Sequence, residues 1–287
     1  MESFRMVGFS GLTHRKEPLI RLNKVTKEYA CGPSAVKAVR QASLVLEPGE
    51  FVLLHGPSGS GKTTLLSIMG CLMKPSSGRV YVCGEDVTEL GESELPALRL
   101  EHIGFIFQTF NLFPALTALE NVKLALQLKG FGWRQRRKEA RALLERVGLG
   151  DCMHRKPADL SGGQRQRICI ARALTGNVDI ILADEPTAAL DTATGIAIME
   201  LIKEETRSGR KAAFVVTHDP RLERFATRVD RITDGMLTAG AAPRIRSAGP
   251  GNESGVHSNP LHEHLRQGAG VGNTPIGLAG IVPARPS

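Results

Sequence analysis

The sequence predicts an α/β fold with a mainly parallel β-sheet that is covered by helices on both faces. Mostly apolar runs at residues 51–54, 178–183 and 212–217 have the length of buried strands. They alternate with amphipathic segments of helical period at 62–72 and 194–207. Such strand–helix–strand alternation is typical of doubly covered parallel sheets.

The remaining elements follow along the chain. The first 17 residues lack periodicity and are expected to form a flexible arm, and a strand pattern begins near Leu19. Two apolar runs at 43–46 and 51–54 flank a Pro-Gly turn. Residues 110–160 have a helical pattern with breaks at Pro114, 130–132 and Gly148, and another helix is expected over 161–174. Eight Gly and six Pro in residues 241–287 predict a disordered tail.

Composition excludes several protein classes. None of the apolar runs in the 287 residues approaches the ~18 needed for a transmembrane helix, and the N-terminus does not resemble a secretory signal. Five cysteines, odd in number and without a C-x-x-C pair, favour reduced thiols in a cytosolic protein over a disulfide scaffold or a zinc site. One Trp and two Tyr supply no stacking platform for nucleic acid, so we expect no nucleic-acid partner.

The net charge of +8 is unevenly distributed. Residues 133–146 hold six basic side chains against two acidic ones. This segment is either a solvated helix face or a surface that meets anionic lipid headgroups or nucleic acid.

A glycine-rich segment follows the apolar run at 51–54 and predicts a phosphate-binding loop. Its residues are Gly56, Pro57, Ser58, Gly59, Ser60, Gly61, Lys62, Thr63 and Thr64. The glycines let successive N–H groups converge on phosphate oxygens, and the following helix adds the positive end of its dipole. Lys62 can reach the β- and γ-phosphates of a nucleotide, and the Thr63 hydroxyl can bind Mg²⁺. A chance match is the alternative, and the flanking strand and helix argue against it.

Two adjacent carboxylates, Asp184 and Glu185, end the apolar run at 178–183. Ligands bind at the carboxyl ends of strands in open α/β sheets, and buried acids there call for a cation. We expect Asp184 to hold Mg²⁺ and Glu185 to polarise a water for attack on the γ-phosphate. A plain strand-to-loop transition is the competing interpretation.

A third motif, Ser161-Gly162-Gly163-Gln164, has the spacing of a helix capping box. Capping explains Ser161 and Gln164, but it leaves two glycines in the first helical turn, where each costs ~1 kcal/mol relative to Ala. Backbone N–H groups that no side chain covers at the start of a helix form an anion-binding site. The chain therefore offers a second phosphate-binding helix end.

Taken in order, GPSGSGKTT, Gln108, LSGGQ, ILADE and His218 resemble the ATP-binding subunit of ABC transporters over residues 18–240. The resemblance implies a parallel core sheet with an antiparallel β subdomain and a helical subdomain inserted at about 109–165. It implies ATP and Mg²⁺ as ligands and a head-to-tail dimer in which the LSGGQ of one copy completes the phosphate site of the other.

Further roles come only from this resemblance. Tyr29 matches the aromatic residue that stacks on adenine, and Asp191 matches the aspartate that communicates across the dimer. Gln108 matches the glutamine that senses Mg²⁺ and the attacking water, and His218 matches the histidine that contacts the γ-phosphate. Tyr29 could instead be a packed strand residue, and His218 a structural one.

The segments FQTFNLFPALTALENV and LADEPT are similar to the lipoprotein-releasing and macrolide-export ATPases. One departure is Ala188-Ala189, where that group usually has Gly-Asn. The resemblance implies an integral-membrane permease as partner, a periplasmic adaptor in some members, export as the direction of transport, and a cytoplasmic location on the inner face of the membrane.

Three functions compete at this stage. The first is an ATPase that powers a separate permease, and the second is a soluble ABC ATPase acting on chromosomes or ribosomes. A single phosphate loop and the lack of room for a coiled-coil insertion argue against the second. The third is a regulatory ATPase that signals through a membrane protein without transport.

Overall fold

A computed structural model describes residues 17–31 and 34–240. Its strands are β1 (Ile20–Cys31), β2 (Ser34–Leu46), β3 (Phe51–His55), β4 (Ser77–Val82), β5 (Glu85–Asp86), β6 (Ile103–Ile106), β7 (Ile180–Asp184), β8 (Ala212–Val216), β9 (Arg228–Thr233) and β10 (Met236–Thr238). Its α-helices are α1 (Lys62–Met69), α2 (Leu95–His102), α3 (Ala118–Leu128), α4 (Trp133–Arg146), α5 (Gly162–Ala173) and α6 (Thr192–Thr206).

The strands form two sheets. The larger has the order β10-β9-β3-β8-β7-β6, and all its pairings are parallel except that of β10 with β9. The smaller is antiparallel, with the order β2-β1-β4-β5. The predicted fold class, including the antiparallel sheet, is therefore confirmed.

Helices and the smaller sheet cover both faces of the parallel sheet. Side chains alternate along β3, so that Phe51 and Leu53 join a core cluster with α3–α6, whereas Val52 and Leu54 join a cluster with α1 and the antiparallel sheet. The central strands β3, β7 and β8 are buried along almost their whole length. Continuous apolar runs are explained by this double burial.

The helical pattern expected over 110–160 is only partly correct. Residues 107–117 form no helix, and α3 begins after Thr117, which makes a capping box with Glu120. Two short 3₁₀ turns, Gly150–Cys152 and Pro157–Asp159, follow α4. The predicted helix at 62–72 ends earlier, at Met69.

The Pro-Gly turn is confirmed, since Glu50 N donates to Glu47 O at 3.1 Å, but it joins strands of different sheets. The predicted arm, except Glu17, and the predicted tail at 241–287 lie outside the described residues. A bilayer span would need a longer and more apolar helix than any that the described residues form.

Candidate nucleotide site

The glycine-rich loop joins the end of β3 to the start of α1. Gly59 and Gly61 have φ values of 78° and 100°, which L side chains rarely adopt. A Cβ on Gly61 would also lie 2.0 Å from the carbonyl oxygen of Ala38, so no larger residue fits there. Because no side chain caps α1, the N–H groups of its first turn stay open toward an anion.

Lys62, the first residue of α1, folds back over this loop. Its ammonium donates to the carbonyl oxygens of Gly56 at 2.9 Å and Pro57 at 2.7 Å. This conformation holds a positive charge against the backbone of the loop.

Thr63 contacts the last residue of β7 across the site. Its hydroxyl donates to Oδ2 of Asp184 at 2.8 Å. Asp184 is only 5% exposed, and its burial raises the pKa of the carboxyl, an effect that the bond from Thr63 opposes and the charge of Glu185 reinforces. A buried carboxylate beside a hydroxyl is an oxygen donor pair suited to Mg²⁺.

Glu185 follows β7, and His218 lies two residues beyond the end of β8. The Nδ1 of His218 is 2.8 Å from Oε1 of Glu185, and this hydrogen bond raises the pKa of the imidazole, as does the negative charge of the carboxylate. Glu185 has a φ of 47°, and its N–H donates to Val216 O at 3.0 Å. A non-glycine residue persists in this region only where the surrounding structure holds it there.

A cavity of about 450 Å³ brings these groups together. Among its lining residues are Lys62, Thr63, Gln108, Asp184, Glu185 and His218, together with Gly56, Ser58, Gly59, Gly61 and Thr64 of the loop. Most of these residues lie at or just after the carboxyl ends of four neighbouring strands, in the order β3-β8-β7-β6. Pro57 and Ser60 do not line it, and Ser60 is buried.

The Ser161–Gln164 motif begins α5 outside this cavity. Ser161 N donates to Oε1 of Gln164 at 2.9 Å, and Gln164 N donates to Oγ of Ser161 at 3.2 Å, so the predicted capping box is present. A Cβ on Gly163 would lie 3.1 Å from the carbonyl oxygen of Ala189, which leaves little room for a larger residue.

Asp191 and Tyr29 also lie outside the cavity lining. Asp191 caps α6 by accepting from Thr194 N at 3.0 Å, and this bond lowers the pKa of its carboxyl. Tyr29 lies on β1 with 39% of its surface exposed, and its hydroxyl donates to Sδ of Met73 at 3.1 Å. The aromatic face of Tyr29 is therefore not enclosed by a core.

The sequence profile of the ABC transporter family matches residues 39–188, more than half of the chain. The chain belongs to the ABC transporter family. The match runs from β2 through the phosphate loop and the LSGGQ motif to the loop after β7, which are the segments that build the cavity and its surroundings.

Two kinds of relative are similar to this ABC chain. It is 47% identical over 223 residues to the uncharacterized ABC transporter ATP-binding protein MJ0796 of Methanocaldococcus jannaschii, covering 76% of this chain and 95% of that protein. It is 41% identical over 251 residues to the macrolide export ATP-binding/permease protein MacB of Hyphomonas neptunium. That alignment covers 88% of this chain but 38% of the relative, so the chain spans little more than a third of that protein.

Solved structures of MJ0796 have the same fold. A dimeric structure of this bacterial ABC transporter cassette has a TM-score of 0.76 at 45% identity, covering 78% of this chain and 99% of that one. A second, described as a dimeric post-hydrolysis state bound to ADP and Pi, has a TM-score of 0.76 at 44% identity.

Two residues of the ABC cavity were not predicted from sequence. Ala38, on β2, and Ala188, after β7, both line it. Alanine carries no chemical signature, and Ala38 reaches the loop only because β2 crosses beside Gly61. Neither residue could therefore be found from a motif.

Proposed function

We propose that this chain is the ATP-binding subunit of an ABC transporter, which hydrolyses ATP and thereby drives a separate integral-membrane permease. The observation that carries this proposal is the single cavity in which Lys62, Thr63, Asp184, Glu185 and His218 converge. A phosphate-binding loop, an oxygen donor pair for a cation and a carboxylate base are the three parts that phosphoryl transfer to water requires.

The loop binds the phosphates of ATP through its N–H groups, and the Lys62 ammonium exchanges its two carbonyl partners for phosphate oxygens. Thr63 and Asp184 are the residues that would hold Mg²⁺, with Gln108 beside them on the cavity wall. When bound, Mg²⁺ neutralises charge that develops on the β- and γ-phosphate oxygens.

Glu185 acts as the general base. Its carboxylate takes a proton from a water molecule, whose oxygen then attacks the γ-phosphorus while the bond to the ADP oxygen breaks. His218 holds Oε1 of Glu185 by a hydrogen bond and presents an exposed ring to the γ-phosphate. The strained backbone of Glu185 fixes where this carboxylate points.

Two copies of the chain form a head-to-tail dimer around ATP. In this arrangement Ser161, Gly162, Gly163 and Gln164 of one copy close over the phosphates bound by the other. Their position outside the cavity of their own chain supports this role, as do the dimeric relatives. Asp191 lies near the junction between the copies, and Tyr29 stacks its exposed ring on adenine.

The permease sets the transported substrate, and the similarity to macrolide-export proteins favours export, with a periplasmic adaptor as a further partner. The chain then works in the cytoplasm, on the inner face of the membrane to which the permease holds it.

Phosphate release by the purified chain with Mg²⁺-ATP tests the enzymatic part of this proposal. We expect turnover in the wild type and its loss in Lys62→Ala, whereas Lys138→Ala, an exposed lysine on α4, serves as the matched control. If Lys62→Ala left turnover unaffected, this cavity would be excluded as the site of ATP hydrolysis. Transport by proteoliposomes containing the cognate permease tests the second part, because a regulatory ATPase would hydrolyse ATP without moving a substrate.

A further inference from the structure

Three side chains from distant parts of the sequence meet at the amino-terminal edge of the parallel sheet. The nucleotide cavity lies at the opposite, carboxyl-terminal edge. His102 immediately precedes β6 and Asp179 immediately precedes β7, so both lie at the amino ends of neighbouring parallel strands. Cys83 joins them from the smaller sheet. One potential ligand atom of each lies within 4.8 Å of those of the other two.

Backbone hydrogen bonds fix the positions of all three. Asp179 N donates to His102 O at 3.0 Å, and Asp179 O accepts from Ala212 N at 2.9 Å. Cys83 N donates to Leu19 O at 2.9 Å. The three side chains are half-buried, so the cluster is preorganised yet open to a small solute.

The backbone at Cys83 lies in the left-handed region, as does that of Cys71, which is not part of the cluster. Cys83 and Gly84 form the two-residue connection between β4 and β5, with φ values of 49° and 87°. Two positive φ values are typical of a type I′ hairpin turn, whose first position favours Asn, Asp or Gly. Turn chemistry therefore does not account for a cysteine at this position.

An ordinary ion pair explains only part of the cluster. His102 Nδ1 lies 2.7 Å from Oδ2 of Asp179, which satisfies these two groups. This ion pair does not involve the Cys83 thiol, whose sulfur lies within 4.8 Å of a ligand atom of each of the other two residues.

We propose that Cys83, His102 and Asp179 form a binding site for Zn²⁺ that ties the β4–β5 turn to the amino ends of β6 and β7. Thiolate sulfur, imidazole nitrogen and carboxylate oxygen are the zinc donors of proteins. Ligand atoms around a tetrahedral zinc ion lie roughly 3.3–3.6 Å apart, so shifts of about 1 Å suffice. On binding, the thiol releases its proton to solvent, and a water molecule completes the tetrahedron.

The proposed site differs from the sequence-based expectation, which disfavours a zinc site at the cysteines. That expectation rested on the absence of closely spaced ligands. Here the ligands stand at positions 83, 102 and 179, and only the pairing of β6 with β7 and the β4–β5 turn bring them together.

Cobalt titration of the chelator-treated, full-length chain tests the proposal. Co²⁺ takes the zinc geometry, and a cysteine ligand gives a sulfur-to-cobalt charge-transfer absorption that histidines and carboxylates cannot produce. We expect this absorption to saturate at one equivalent and to disappear when Zn²⁺ is added. Cys83→Ser should abolish it, and His102→Ala or Asp179→Asn should weaken binding more than about tenfold.

His154→Ala, at an exposed histidine, is the matched control and should leave the titration unchanged. Zn²⁺ should also raise the melting temperature of the wild type but not that of Cys83→Ser. The absence of the absorption in the wild type, or its survival in Cys83→Ser, would overturn the proposal. Either result would leave ATP hydrolysis unaffected, so the two proposals fail independently.

Discussion

His218 Nδ1 lies 2.8 Å from Oε1 of Glu185, which joins the ends of two adjacent strands across the nucleotide cavity. The bond places a titratable ring beside the carboxylate that the proposed reaction uses as its base. Together with the positive φ of Glu185, it leaves this carboxylate little freedom to turn away.

Replacement of this carboxylate tests its role. Glu185→Gln keeps the shape of the side chain but cannot accept a proton, so turnover should fall by ~10²–10⁴-fold. Nucleotide binding should persist, and ATP should hold two chains together. Phosphate release and size-exclusion chromatography with ATP measure the two effects. Near-normal turnover would remove Glu185 from the role of base.

The same substitution should change the titration of His218. Glu185 raises the pKa of the ring, so Glu185→Gln should lower it toward 6.5. In the wild type the pair favours the folded state below about pH 6.5, and this contribution is lost as the pH rises through the folded pKa. NMR titration of the ring protons measures the shift, with exposed His154 as an internal reference. An unchanged curve would contradict the pairing.

Ser161→Arg should separate nucleotide binding from hydrolysis. A bulky side chain at the start of α5 would block closure over the partner's phosphates, whereas the loop and Lys62 of the same chain still bind ATP. We expect affinity within a few fold of wild type, no ATP-driven dimer and background turnover. Fluorescent-nucleotide titration and size-exclusion chromatography measure these.

Thr117→Arg is the matched control for that variant. Thr117 caps α3 with the same capping-box geometry, so both variants lose a cap worth about 1 kcal/mol. Only the Ser161 variant should lose the dimer. If that variant failed to bind nucleotide at all, the motif would act within its own chain or support the fold.

Asp184→Asn should abolish turnover without destabilising the protein. Because burial raises its pKa, the ionised carboxylate is less favourable in the folded than in the unfolded state, and stability falls as the pH rises from the unfolded to the folded pKa. Asparagine avoids this penalty and still accepts from Thr63. Without nucleotide, the melting temperature at pH 7 should stay equal or rise by about 2–4 °C, and Asp151→Asn on the surface is the control. A clear decrease in the melting temperature would contradict the predicted direction of the effect.

The edge of the parallel sheet that lines the cavity was predictable from the sequence. Buried strands can be recognised from their apolar runs. The polar residues that follow them, from Gly56 to His218, must meet where the parallel strands end. The order of the motifs then identified the family, which the profile match and the relatives confirm.

Other features could not be predicted because they depend on packing between distant segments. The hairpin of β4 and β5 has an exposed face and no continuous apolar run, and α2 is short. The positive φ of Glu185 and the meeting of Cys83 with His102 are properties of the assembled sheets. No local pattern in the chain encodes them.

The place of β3 in its sheet has a consequence for protein synthesis. This strand, which carries the phosphate loop, pairs with β8 and β9, and Phe51 N donates to the side chain of Thr227, 176 residues later. When the ribosome has just synthesised the loop, both partner strands, β8 and β9, have still to be made. At ~5–20 residues per second, this interval lasts on the order of ten to forty seconds. Until then β3 lacks both neighbouring strands, so the growing polypeptide cannot yet present an assembled phosphate loop to a nucleotide.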